Sequence, residues 1–75
     1  MELGKIIAKN LSDLRNARHL TLGQLSKLSG ISKAMLSEIE KGDSNPTINT
    51  IWKIAHGLDV PYTKLIDDVE KEAAL

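Results

Sequence analysis

Cysteine and phenylalanine are absent from the 75 residues, and Trp52 and Tyr62 are the only aromatic side chains. The first absence excludes disulfides and thiolate metal sites, so stability must come from aliphatic packing, and a reducing cytoplasm suits such a chain. The scarcity of aromatics, set against abundant Leu, Ile and Ala, disfavours a β-sandwich or small barrel and favours helices. A long apolar run is also missing, which excludes a transmembrane span. Residues 1–4 carry an acid and no basic flank ahead of a long apolar stretch, so no secretory signal is expected. His19 and His56 stand far apart with neither cysteine nor clustered acids to complete a shell, so neither a metal nor a cofactor is expected. The length is that of one small domain. Short helices offer no obvious cavity for a nucleophile and its base, so an enzyme is not expected.

Net charge is lacking too, with ten basic groups balanced by ten acidic ones. That balance removes the general attraction to polyanions that a basic protein has. The distribution is uneven, however. Asp67, Asp68, Glu70 and Glu72 crowd the last nine residues with only Lys71 against them, leaving nine basic and six acidic groups in residues 1–66. The expected division is a domain over 1–66 and an acidic tail, or the start of a linker, over 67–75.

What the chain does contain is punctuated aliphatic periodicity. Ile7, Leu11 and Leu14 recur at helical spacing, with Lys9, Ser12, Asp13 and Asn16 turned elsewhere, which predicts a helix over residues 3–18. Thr21 is an N-cap type for a second helix reaching about residue 28, with Leu25 and Leu28 inward and Gly30 supplying a left-handed turn. Ser26, four residues before Gly30, is the small residue expected where helices cross closely. Ser32 caps a third helix over residues 33–40, and Lys41-Gly42 ends it. Asp43-Ser44-Asn45-Pro46 resists helix, and Thr47 caps a fourth helix built on Ile48, Ile51, Ile54, Ala55 and Leu58. Pro61 at a first helical position opens a last helix with Leu65 and Ile66 inward. That helix either ends there or extends through Val69 and Ala73. The predicted fold is all-α, a compact bundle of five short helices.

Residues 21–42 form the informative unit: a short helix, a tight Ser29-Gly30-Ile31 turn and a second short helix, the helix-turn-helix pattern. Projecting the second of these helices at about 100° per residue puts Ser32, Met35, Leu36 and Ile39 on one arc. Lys33, Ala34, Ser37 and Glu38 fill the other, which faces solvent or DNA. Short or polar side chains suit a major groove, where base edges are read at close range. Lys33 can donate to guanine acceptors or to phosphate, Ser37 can donate or accept, and Ala34 can lie against a thymine methyl. Glu38 can accept from a cytosine amine, or repel phosphates and so help exclude wrong sequences. Ser32, at the helix start, completes the candidate base contacts. The same residues also suit a plain solvated helix face.

The run Ile31-Ser32-Lys33-Ala34-Met35-Leu36-Ser37-Glu38-Ile39-Glu40-Lys41-Gly42 is followed by Ser44-Asn45-Pro46-Thr47 and by Ile51-Trp52-Lys53-Ile54-Ala55. Over residues 11–66 the chain resembles the Cro and lambda-repressor-like domain of the Xre type, above all the subgroup often fused to a small-molecule-sensing cupin domain. The resemblance implies a lambda-repressor-like bundle. It also implies phosphate contacts at the start of the first motif helix and in the loop after the second, here Thr21, Leu22, Asn45 and Thr47. Backbone N–H groups at helix starts can make such contacts whatever the side chain. Asn45 and Thr47 equally suit a turn and a cap with no ligand. Leu22 departs from the pattern, since relatives frequently carry a Gln there. An ion pair between Arg15 and Glu40 is implied as well. No cupin domain fits after residue 66, so no small-molecule effector is expected within this chain.

Pattern and resemblance together imply sequence-specific binding to double-stranded DNA by a homodimer on a near-palindromic operator, as a cytoplasmic transcriptional regulator of repressor type. Leu58, Val60, Tyr62, Leu65 and Ile66 are the candidates for the dimer contact. The alternative, supported by zero net charge and the acidic tail, is a protein-binding adaptor, antitoxin or coactivator module on the same fold.

Overall fold

A computed structural model describes residues 2–67. Five helices follow one another among them: α1 (Leu3–Ala17), α2 (Leu22–Ser29), α3 (Lys33–Glu40), α4 (Ile48–Leu58) and α5 (Thr63–Ile66). No described residue lies in a strand, and no described helix is long and apolar enough to cross a membrane.

Hydroxyl side chains set three of the helix starts. Thr21 Oγ1 accepts from the Gln24 N–H at 3.1 Å, and Gln24 Oε1 accepts from the Thr21 N–H at 2.8 Å. This reciprocal capping box satisfies two donors that the helix itself leaves free. Ser32 Oγ accepts from the Met35 N–H and Thr47 Oγ1 from the Thr50 N–H, both at 3.1 Å, each cap contributing about 1 kcal/mol. Gly30 closes α2 in the left-handed region at φ 76°. Pro61 lies two residues ahead of α5 rather than inside it, and its carbonyl accepts from the Lys64 N–H at 3.0 Å. A proline carbonyl is as good an acceptor as any other, so the ring directs the entry to the helix without joining it. The helix ends at Ile66 with Asp67 extended. The reading that it runs through Val69 and Ala73, like the tail from residue 68 onward, lies outside the described residues.

Ile7, Leu11, Leu25, Leu36, Ile39, Ile51, Ile54, Ala55, Leu58 and Leu65 form one buried cluster to which all five helices contribute. Within it α2 packs on α3 and α4, and α1 on α3 and α5. Three residues assigned to the core by periodicity are exposed instead: Leu28, Met35 and Ile48. An eight-residue helix buries only a narrow stripe. In α2 that stripe is Leu25 and Ser29, and in α3 it is Leu36 and Ile39, so Leu28 and Met35 fall outside it. Ile48 begins α4 one turn before the buried positions Ile51, Ile54, Ala55 and Leu58.

A close helix crossing, between α2 and α4, is made by Ser29 and Gly57. A Cβ placed on Gly57 would stand 3.0 Å from the N, Cα and Cβ of Ser29, so α2 and α4 approach this closely only because α4 carries no side chain there. Ser26 is half-buried and contributes its carbonyl, which accepts from the Gly30 N–H at 2.9 Å. A second close approach occurs at buried Gly4, where a Cβ would meet the Ser44 carbonyl at 2.7 Å. The loop after α3 therefore rests its backbone on the start of α1. Finally, buried Asn10 donates its Nδ2 to the carbonyls of Leu65 and Asp67, both at 2.8 Å, fastening the end of α5 to α1.

Candidate nucleic-acid interface

Helix α3 is held from three directions. Leu36 and Ile39 are fully buried, the Ser32 hydroxyl caps its start, and Glu40 near its end is gripped by Arg15 of α1. Arg15 Nε donates to Glu40 Oε2 at 2.7 Å and Nη2 to Oε1 at 3.0 Å, a bidentate pair. The remaining terminal nitrogen, Nη1, donates to the Leu20 carbonyl at 2.7 Å. The two side chains are 16% and 14% exposed, enough removed from water for the pairing to matter and for the loss of one partner to be costly. The hydrogen bond to Glu40 raises the Arg15 pKa above its ordinary value, against the opposing pull of desolvation. Arg15 is thus a positioning residue, joining α1, the turn after it and α3.

The face of α3 opposite this anchorage carries Lys33, Ala34 and Glu38, all exposed, with Ser37 half-buried beside them. Ser32 is exposed as well, although its hydroxyl is engaged as the cap. Lys41 reaches back to Glu38 at 3.3 Å across open surface. An exposed pair of this kind adds little stability, but it places a positive charge beside the one acid on this face. Side chains here are thus short, polar or flexible, on a helix whose backbone is fixed. That combination permits close approach to a groove without a large loss of side-chain freedom.

The other candidates open the flanking helices. Thr21, the exposed N-cap of α2, spends its hydroxyl on Gln24, while the first N–H groups of α2 point out of the helix end as at any such terminus. Leu22 packs its side chain against the core, so an anion there would meet backbone alone. Thr47 is the exposed N-cap of α4, and its hydroxyl also pairs with that of Thr50 at 3.0 Å. Asn45 is exposed beside the start of α1, where its Oδ1 would stand 3.2 Å from a Cβ on Gly4. Among the candidate dimer residues, Leu58 and Leu65 are fully buried and belong to the core. Val60 and Ile66 are partly buried against it, and Tyr62 is exposed. Tyr62 stacks on Trp52 with ring centroids 4.9 Å apart, and Leu3, Ile48 and Ile66 line the same shallow apolar depression.

Sequence reasoning passed over two contributors to this arrangement. Asn10 falls three residues after Ile7 and four before Leu14, on the apolar stripe of α1, so a polar residue at that position was a readable sign of a buried hydrogen bond. Gly57 carried no such sign, because a helical glycine is informative only once its neighbour is known.

The helix-turn-helix family matches residues 11–65. The HTH-type transcriptional regulator SutR of Escherichia coli (strain K12) is 44% identical over 64 residues, covering 85% of this chain and 36% of SutR. A crystal structure of an HTH_3 family transcriptional regulator from Vibrio cholerae superposes with a TM-score of 0.82 at 46% identity, covering 84% of this chain and 35% of that one. The restriction-modification controller protein C.AhdI from Aeromonas hydrophila gives a TM-score of 0.79 at 29% identity, over 83% of this chain and 94% of that one. The chain therefore spans only about a third of SutR and of the Vibrio regulator.

Proposed function

The chain belongs to the helix-turn-helix family of transcriptional regulators, a non-enzymatic class, and from that membership we propose that it binds double-stranded DNA sequence-specifically. In this reading α3 enters the major groove with Ser32, Lys33, Ala34, Ser37 and Glu38 against base edges. The observation that carries it is the outward display of Lys33, Ala34 and Glu38 on a helix whose other face is fully buried at Leu36 and Ile39. The start of α2 at Thr21 and Leu22, through the Leu22 N–H because that of Thr21 is spent on Gln24, together with Asn45 and Thr47, supplies phosphate contacts that fix the register.

A single small module covers too little DNA for high specificity, so two copies on a near-palindromic operator complete the reading. The exposed face of Leu3, Ile48, Trp52 and Tyr62 supports a second copy as the covering surface. Occupancy of the operator then represses transcription in the cytoplasm. The finer likeness to cupin-fused regulators extends the proposal to a module that works beside a sensor domain. The same apolar face favours a second reading, an adaptor that grips another protein.

Selection of bound duplexes from a random pool, followed by titration of the winner at rising salt, separates the two. A recurring motif with two-fold symmetry and an affinity that falls steeply with salt is expected for the DNA reading. Failure to enrich any sequence, with salt-insensitive binding to a protein, would reject it.

A further inference from the structure

We infer that Met35 is a specificity-determining residue that reads a thymine methyl group in each half-site, an inference that rests on the placement of α3 in the major groove. Helical spacing puts Met35 with the core residues Leu36 and Ile39, yet it is 48% exposed while both of those are fully buried. The buried stripe of α3 is complete without it. Met35 lies in the first turn of α3, three residues before Glu38, so on the helix surface it adjoins that exposed side chain at the edge of the outward face. Its backbone is fixed there, since its N–H donates to the Ser32 hydroxyl at 3.1 Å. First-turn residues of a helix lodged in a major groove are the ones that reach base edges.

The chemistry of the side chain then narrows the target. A thioether has no donor and only a weak acceptor, so it complements none of the polar groups that adenine, guanine or cytosine present in the major groove. The thymine C5 methyl is the one apolar feature of that groove. An unbranched, polarisable side chain with three rotatable bonds can lie against it without demanding one fixed geometry. Ala34 can meet a thymine methyl only where the helix backbone itself comes close, whereas Met35 extends the apolar reach of the same turn. Thymine preference at that position is thus assigned chiefly to Met35.

The test uses duplexes selected by the wild-type chain, with uracil replacing thymine one position at a time, which deletes the methyl and nothing else. At one position per half-site, uracil is expected to weaken wild-type binding by about fourfold, the value of one buried methyl group. Met35→Ala is expected to bind thymine and uracil there equally, and Met35→Leu to keep part of the discrimination. An equal uracil penalty in wild type and Met35→Ala would overturn the assignment. So would a loss of affinity in Met35→Ala that is uniform across all sequences and accompanied by dissociation of the dimer. If the wild-type chain selects no duplex, the DNA reading falls and takes this inference with it. If Lys33→Ala and Ser37→Ala alter selection while Met35→Ala does not, this inference alone falls.

Discussion

Arg15 makes three hydrogen bonds through one side chain, two to Glu40 and one to the Leu20 carbonyl. Its replacement removes all of them and leaves a carboxylate in a largely dry position, so Arg15→Leu is expected to cost about 2–4 kcal/mol. In a domain of this size that lowers the thermal midpoint by about 10–20 °C, measurable by far-ultraviolet circular dichroism. Glu40→Gln, which keeps one acceptor, is expected to lose less. Because the Glu40 bond raises the Arg15 pKa, the stabilisation from Arg15 is complete at every pH below its unfolded value. It is lost only as pH climbs through the still higher folded value, so titration through neutrality leaves this side of the pair charged. The outward residues of α3 predict the opposite pattern. Lys33→Ala removes an exposed side chain, so unfolding is expected to shift by less than about 0.5 kcal/mol while binding to the selected duplex weakens.

Single residues also show where sequence reading succeeds and where it stops. Thr21, Ser32 and Thr47 were legible as caps because capping is a local matter of a hydroxyl and an N–H three residues on. Leu28, Met35 and Ile48 were misplaced because periodicity gives the direction of a helix face and says nothing about how wide the buried stripe is.

At the scale of elements, the contact between α2 and α4 depends on an absent side chain. Gly57→Ala would ordinarily stabilise a helix by about 0.5–1 kcal/mol. Here the new Cβ meets Ser29 backbone atoms at 3.0 Å, which cannot yield as a flexible side-chain tip would. The sign is therefore expected to reverse, with a net loss of about 1–2 kcal/mol from overpacking, read as a lower urea midpoint. A rise in the midpoint would show that the two helices part without cost. Asn10→Ala removes both bonds that fasten the end of α5 and leaves two carbonyls without that partner. Faster amide exchange confined to α5 and its junction is expected, ahead of any global change. The order of the helices and the bounds of the first four, to within a residue, were readable from caps and turns, whereas the start of α5 was not. Their crossing was not, because it is fixed by pairs such as Ser29 and Gly57 that lie far apart in the chain.

At the scale of the whole chain, zero net charge makes long-range attraction to DNA weak, so in the proposed reading affinity comes from short-range contacts by two copies. The surface proposed for pairing carries the chain's single Trp, which provides its own reporter. On dilution, a dimer covering Trp52 is expected to show a red shift in emission at the concentration where sedimentation reports dissociation. Trp52→Ala is expected to remain folded and monomeric. Emission that does not change with concentration, in a protein that still sediments as a dimer, would place the contact elsewhere. The bundle as a class was legible in the aliphatic periodicity. Its apolar outer face was not, because burial in this core separates Leu58 and Leu65 from Trp52 and Tyr62 and periodicity cannot.

The reading face of α3 is tested most directly by titrating the selected duplex with the wild-type chain and with the double variant Lys33→Ala/Ser37→Ala, while following the thermal unfolding of both. The expected result is affinity at least about tenfold lower, each lost base contact being worth about 1–3 kcal/mol, with an unchanged unfolding midpoint. Equal affinity for the duplex in two equally folded proteins would contradict the assignment of α3 to the major groove.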